Sequence, residues 1–188
     1  VRSLAATDAP VQDEQIDWNE LTVETPAAVR TSLSVLYRGT FRRSDVMLKA
    51  PVLITKYSTE NSANSEWHRF KEEMRFHARL KHENVLPMLG WALVPQEASD
   101  KLHETADGTP YLVTPYRHEG NLTQYIAQKR AEFNASPMQG VFEKRIELGF
   151  VVWQLLGIAS GMSYIAQRST STRAIHRDLK TSNVLLHG

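Results

Sequence analysis

The sequence predicts an α+β fold, a five-stranded antiparallel sheet with one helix followed by a mainly helical second part. Three observations carry that expectation. Runs rich in β-branched and aromatic residues crowd the first half of the chain. An apolar repeat of helical period begins near Ser65 and returns, longer, from Leu148. A strongly polar loop, Ile175 to Asn183, then leads directly into apolar Val184-Leu185-Leu186.

Composition narrows the classes of function. With 188 residues, 41% hydrophobic and 23% charged, the chain can bury one core or two small lobes. A formal net charge of +1 supplies no field for nucleic acid or anionic lipid, so neither partner is expected. The absence of cysteine removes disulfides, thiolate zinc sites and thiol catalysis, and fits an intracellular, cytoplasmic setting. No apolar run looks like the ~20 residues that span a bilayer, and Val1-Arg2-Ser3-Leu4 lacks a signal-peptide core, so no membrane segment is expected. The chain starts without Met and stops at Gly188, soon after the last apolar run, which reads as a fragment.

Residues 1–15 have no apolar periodicity and read as a flexible leader. Strands are expected at Leu21-Thr22-Val23, Ser34 to Phe41 and Val52 to Tyr57, with turns at Arg42-Arg43-Ser44-Asp45 and at Lys49-Ala50-Pro51. Trp67, Phe70, Met74, His77 and Leu80 mark a helix from Ser65 to Lys81, ending before His82-Glu83-Asn84. Two further strands, Val85 to Leu93 and Tyr111 to Thr114, flank a polar insert from Pro95 to Pro110 that reads as a long loop. A short helix comes next, from Asn121 to Phe133. The longest helix carries Leu148, Val151, Val152, Leu155, Ile158, Ala159 and Met162 on one apolar face.

The chemistry concentrates in His176-Arg177-Asp178-Leu179-Lys180-Thr181-Ser182-Asn183. Asp and Asn in a loop often do no more than hydrogen-bond their own backbone. A stretch matching H-R-D-L-x-x-x-N is a more specific signal, and it resembles the catalytic loop of the protein kinases. The resemblance implies a base at Asp178 that accepts the proton of a substrate hydroxyl, a charge stabiliser at Lys180 and a magnesium ligand at Asn183. Arg177 would face a phosphate on an activation loop, and His176 would be a core residue. Lys180, two residues after the Asp, resembles serine/threonine kinases of the tyrosine-kinase-like group.

The same resemblance divides the chain into an N-lobe over 16–115 and the first part of a C-lobe over 116–188. It assigns the phosphate-holding strand lysine to Lys56 and its helix partner to Glu73, with Glu72 as the neighbouring alternative. Thr114 would guard the back of the adenine pocket, and Leu36, Ile54 and Leu185 join the cofactor-binding set. Pro115 has no N–H, so adenine would be bound through Tyr116 and Arg117. ATP and Mg2+ are the implied cofactors, and a protein is the implied substrate. Two departures stand against nucleotide binding. The stretch Val29 to Ser34, where the family has G-x-G-x-x-G, contains no glycine, and Ile54 replaces a small alanine. The chain also ends before any D-F-G, so the truncated chain alone is expected to be inactive. The expected function is transfer of the ATP γ-phosphoryl group to protein Ser/Thr hydroxyls; the alternative is a pseudokinase that binds and scaffolds.

Overall fold

The computed structural model describes residues 14–31, 34–51, 60–102, 108–135, 148–168, 176 and 178–186. Contacts divide the chain into two compact units, one of residues 1–80 and 87–116 and one of residues 81–86 and 117–188.

The first unit is built on a six-stranded antiparallel sheet. Its strands are β1 (Leu21–Val23), β2 (Val29–Arg30), β3 (Ser34–Phe41), β4 (Ser44–Pro51), β5 (Gly90–Leu93) and β6 (Pro110–Pro115). Their order is β1-β3-β4-β6-β5, with β2 also pairing β3. The count exceeds the expected five because Pro26, which has no N–H to give a ladder, falls between two short pieces that both lie along β3. The edge at β5 is extended by Gln15, which bridges to Trp91 in parallel, while the Ile16 N–H donates to the Trp91 carbonyl at 2.8 Å.

The third strand of the meander is β4, and the turn expected at Lys49-Ala50-Pro51 is instead its last three residues. Val46, Leu48 and Ala50 alternate along it and are all fully buried, the period of a strand with one face in a core. The reversal before it is a two-residue hairpin loop, Arg42-Arg43, with φ of 48° and 69°. Asn-Gly is the usual choice where both central residues need positive φ, so the turn carried no sequence signal for its tightness. Residues 52–57, expected as that strand, lie outside the described residues.

The two faces of the sheet do different work. Val35, Tyr37, Val46, Leu48, Ala50, Tyr111 and Val113 point to one side, where they form a core with Ile16, Leu21, Ala92, Val94 and Leu102. Leu102 ends α2 (Gln96–Leu102), a helix inside the insert that was expected to be loop. Its carbonyl accepts the Tyr37 hydroxyl at 3.0 Å, which satisfies a polar atom sunk in that core. On the opposite face, Trp91 and Leu112 pack with Phe70 and Met74 of α1 (Glu60–Ala78). Two of the apolar helix positions read from sequence, Phe70 and Met74, thus meet the sheet.

In the second unit, α3 (Leu122–Ala135) begins with a reciprocal capping box. Asn121 Oδ1 accepts the Gln124 N–H at 3.0 Å, and Gln124 Oε1 accepts the Asn121 N–H at 2.9 Å. The long helix α4 (Leu148–Gln167) receives the segment 81–86 on a flank kept bare by Gly157 and Gly161. A Cβ on Gly161 would sit 2.8 Å from the Asn84 carbonyl oxygen. The Tyr164 hydroxyl accepts the Lys81 N–H at 2.8 Å, and the Tyr164 ring lies tilted against that of His82, centroids 4.8 Å apart. Elsewhere Phe150 of α4 stacks on Tyr125 of α3, while Leu148 76%, Trp153 60% and Leu156 64% are exposed. The helix is also long and apolar enough to cross a membrane, which corrects the expectation that no run approaches that length. Length and composition alone do not separate such a span from a core helix.

Gly39, on β3, has no room for a side chain, since an added Cβ would lie 2.0 Å from the Thr22 carbonyl oxygen across the sheet. Because the clash is with backbone, Gly39→Ala should destabilise the protein by at least ~1–3 kcal/mol, the usual cost of overpacking, read as a lowered midpoint in urea.

Candidate functional site

The face of the sheet that bears Trp91 and Leu112 also carries, on β6 and the neighbouring β4 and β3, the first group of candidate functional side chains. Leu36 lies opposite Lys49, and Met47 lies opposite both Arg38 and Thr114. From this face the Lys49 ammonium reaches Glu73 of α1, with Nζ 2.5 Å from Oε1. Phe70 and Met74 hold that helix against the sheet, so Glu73, between them, is delivered to the lysine by apolar packing. Glu72 points elsewhere: it binds Arg75 at 2.7 Å, and that hydrogen bond holds its carboxyl below the ordinary range.

The partner of Glu73 is therefore Lys49, a residue that sequence reasoning passed over. Lys56 and Ile54, assigned to this place from sequence, lie outside the described residues. A signal was present, since Val46-Met47-Leu48-Lys49 also fits the V-A-I-K pattern, with Met47 at the alanine position. Reading Lys49-Ala50-Pro51 as a turn concealed it.

Thr114 is buried, and its Oγ1 lies 3.5 Å from the Met47 carbonyl. After Pro115, the Tyr116 N–H donates to the Asp45 carbonyl at 3.0 Å, extending the β4–β6 ladder by one residue. The N–H of Tyr116, a residue expected to bind an adenine edge, is thus engaged within the sheet. The Tyr116 ring lies under the Arg38 guanidinium, 4.6 Å from the centroid. Arg117, the other residue so expected, falls in the second unit, where its carbonyl accepts the Gly120 N–H at 3.2 Å.

The second group lies in the loop 178–186. Asp178 is exposed and held from both sides: Lys180 Nζ is 2.9 Å from Oδ1, and Asn183 Nδ2 donates to Oδ2 at 2.9 Å. The hydrogen bond from Lys180, then that from Asn183, depress the Asp178 carboxyl below its ordinary value. Asn183 Nδ2 also donates to the Asp178 main-chain carbonyl at 2.8 Å. With its amide group so engaged, the Asn183 Oδ1 is the atom oriented away from the aspartate, a hard oxygen suited to magnesium. Among the described residues no three His, Cys, Asp or Glu side chains cluster to hold a metal. Magnesium takes one or two protein oxygens and completes its shell with phosphates and water, so a lone Asn183 fits it.

Beyond Asn183 the backbone is tied to the start of α3. The Leu122 N–H donates to the Val184 carbonyl and the Leu186 N–H to the Gly120 carbonyl, both at 2.9 Å, around an antiparallel bridge from Asn121 to Leu185. The Thr123 and Thr181 hydroxyls meet at 2.7 Å. The capped start of α3 is thereby the support on which the polar loop closes. Leu185 itself is 41% exposed. His176 is exposed rather than in a core, and Arg177 lies outside the described residues.

The geometry around Asp178 generates one expected outcome. Lys180→Met removes the largest cause of the enhanced acidity, so the Asp178 pKa should rise toward its ordinary value. Carbon-13 chemical shifts tracked through an acid titration would read the change, and an unmoved midpoint would count against the ion pair.

Residues 30–188 match the family described as protein tyrosine and serine/threonine kinase. Among curated proteins, the Raf homolog serine/threonine-protein kinase of Caenorhabditis elegans is 26% identical over 180 residues, 94% of this chain and 18% of the relative. The RGS domain-containing serine/threonine-protein kinase A of Dictyostelium discoideum is 27% identical, over 92% of this chain and 12% of its own length. The serine/threonine/tyrosine-protein kinase HT1 of Arabidopsis thaliana is 28% identical, over 82% and 32%. The chain thus spans a third or less of the length of each of these relatives. A match over most of the chain, added to a lysine–glutamate pair in one unit and an Asp–Lys–Asn loop in the other, means that this chain belongs to the protein tyrosine and serine/threonine kinase family.

Proposed function

We propose that the chain carries the phosphate-binding strand and catalytic loop of an intracellular, cytoplasmic serine/threonine kinase that phosphorylates protein hydroxyls. The observation that carries this reading is the Asp178 carboxylate, fixed by Lys180 and Asn183 within one short loop. The relatives' names as serine/threonine-protein kinases support the choice of hydroxyl.

Magnesium-ATP, when bound, supplies the phosphoryl group and the counter-charge for its oxygens. The residues of the chain have the remaining roles. Lys49, oriented by Glu73, holds phosphate oxygens by charge-assisted hydrogen bonds. Asn183 offers Oδ1 to the metal. Lys180, already beside the carboxylate, carries a positive charge where negative charge accumulates on the transferred group. Asp178, ionised in the neutral range as an ordinary carboxylate is, would orient the hydroxyl and take its proton as the oxygen's bond to the γ-phosphorus forms and the bond from that phosphorus to the departing ADP breaks. Thr114, Met47 and Leu36 supply the unit-one surface for the base.

A second reading, a pseudokinase that scaffolds without productive nucleotide use, is favoured by Met47 and the glycine-free stretch Val29 to Ser34. Met47 puts a long thioether where the family's pattern has alanine, on the same face as Lys49. Met is unbranched and adaptable, so it narrows a purine site without closing it.

In the full-length protein, Asp178→Asn should lower phosphoryl transfer by about 10²–10⁴-fold with little effect on folding. Unchanged turnover in a radiolabelled phosphate assay would remove Asp178 from the chemistry and favour the scaffold. Met47→Ala should tighten magnesium-ATP, measured by calorimetry; equal affinities would mean that the methionine does not crowd the base.

A further inference from the structure

The turn between β2 and β3 stands where the family has its glycine-rich loop, and its described backbone donors are already used. The Thr31 N–H donates to the Ser34 carbonyl at 2.9 Å, and the Ser34 N–H donates to Thr31 Oγ1 at 2.9 Å. Thr31 Oγ1 in turn donates to the Ser34 carbonyl at 3.0 Å and meets Ser34 Oγ at 3.1 Å. One hydroxyl thus serves as donor once and acceptor twice, its full capacity. Glycine at position 31 would have no group with which to do this.

Ser34 is well placed for the consequence to matter. It heads β3 opposite Pro51, two residues before Leu36, which lies opposite Lys49. By the two-residue period of a strand, Ser34 and Leu36 share the face from which Lys49 reaches Glu73. Ser34 is about 7 Å along β3 from the strand neighbour of Lys49, so a phosphate held at the end of the long Lys49 side chain is within reach of the Ser34 main chain. To take the Ser34 N–H, the phosphate must first displace the Thr31 hydroxyl.

We infer that Thr31 is a specificity-determining residue: by keeping the Ser34 N–H for itself, it weakens the hold on phosphate and lowers the preference for a nucleoside triphosphate over the bare nucleoside. The inference rests on the kinase reading above. It differs from crowding by Met47, which acts on the base and so affects nucleoside and nucleotide together.

The test is calorimetry with magnesium-ATP and with adenosine on the full-length protein, comparing wild type with Thr31→Ala and Thr31→Val. The valine keeps the β-branched shape that suits an extended backbone, so the turn has a variant that holds its form without an acceptor. Amide exchange at Ser34, measured without ligand, should quicken in both variants. Magnesium-ATP should bind about fivefold tighter, the equivalent of one net hydrogen bond, while adenosine affinity stays the same. If ATP and adenosine tighten together, or if neither moves while Lys49→Met still weakens ATP, Thr31 has no such role and the kinase reading stands. If neither wild type nor variants bind ATP or adenosine, both readings fall together.

Discussion

The alternation of side chains along β4 is the constraint on which the first unit depends. Val46 and Leu48 are each completely buried, worth ~1.5–3 kcal/mol apiece, and they fix which face of the strand meets the core. Lys49 and Glu73 are partly exposed, and an ion pair in such a setting contributes only ~0–1 kcal/mol. The comparison decides cause and effect. Apolar burial sets the register, and the charged pair forms because the register leaves Lys49 on the face that α1 covers. A slip of one residue would send the lysine into the core and the valine and leucine out of it.

The second unit places its functional groups by a different kind of force. Asp178, Lys180 and Asn183 lie close together in the sequence, and their geometry comes from hydrogen bonds that close over that short distance. Little apolar burial supports them, for among residues 178–186 only Leu186 is buried. Rigidity is imported instead from the capping box of α3, whose first turn is sewn to Val184 and Leu186 by main-chain bonds. A loop that must present exposed polar groups cannot be held by a core, so it is anchored at its end.

That contrast explains what was legible in the sequence. The loop from Asp178 to Asn183 is local, and a local pattern of residue types was enough to group Asp178, Lys180 and Asn183. The choice of Glu73 over Glu72 was legible too, since the helix repeat through Phe70 and Met74 fixes which acid faces the sheet. The partner lysine was not, because its position depends on where β4 begins, and Arg42-Arg43 turns tightly without Gly or Asn to announce it. Pro51 then read as a breaker, although it is the last residue of the strand. Helix α2 was missed for another reason: seven residues are too few for a periodic signal, and its anchor is a single leucine and a main-chain carbonyl. The bond from the Tyr116 N–H to Asp45 is a pairing across strands, which composition does not encode.

The segment 81–86 lies in the sequence between α1 and β5, yet it is grouped with residues 117–188 through Tyr164, Gly157 and Gly161. The chain therefore enters the second unit, leaves it and returns. No single cleavage parts the two units, and a piece ending at Tyr116 would carry Asn84 away from the glycine-lined flank that receives it. For anyone dividing the protein for expression, the usable boundary is three breaks, after 80, 86 and 116, with a linker standing in for 81–86.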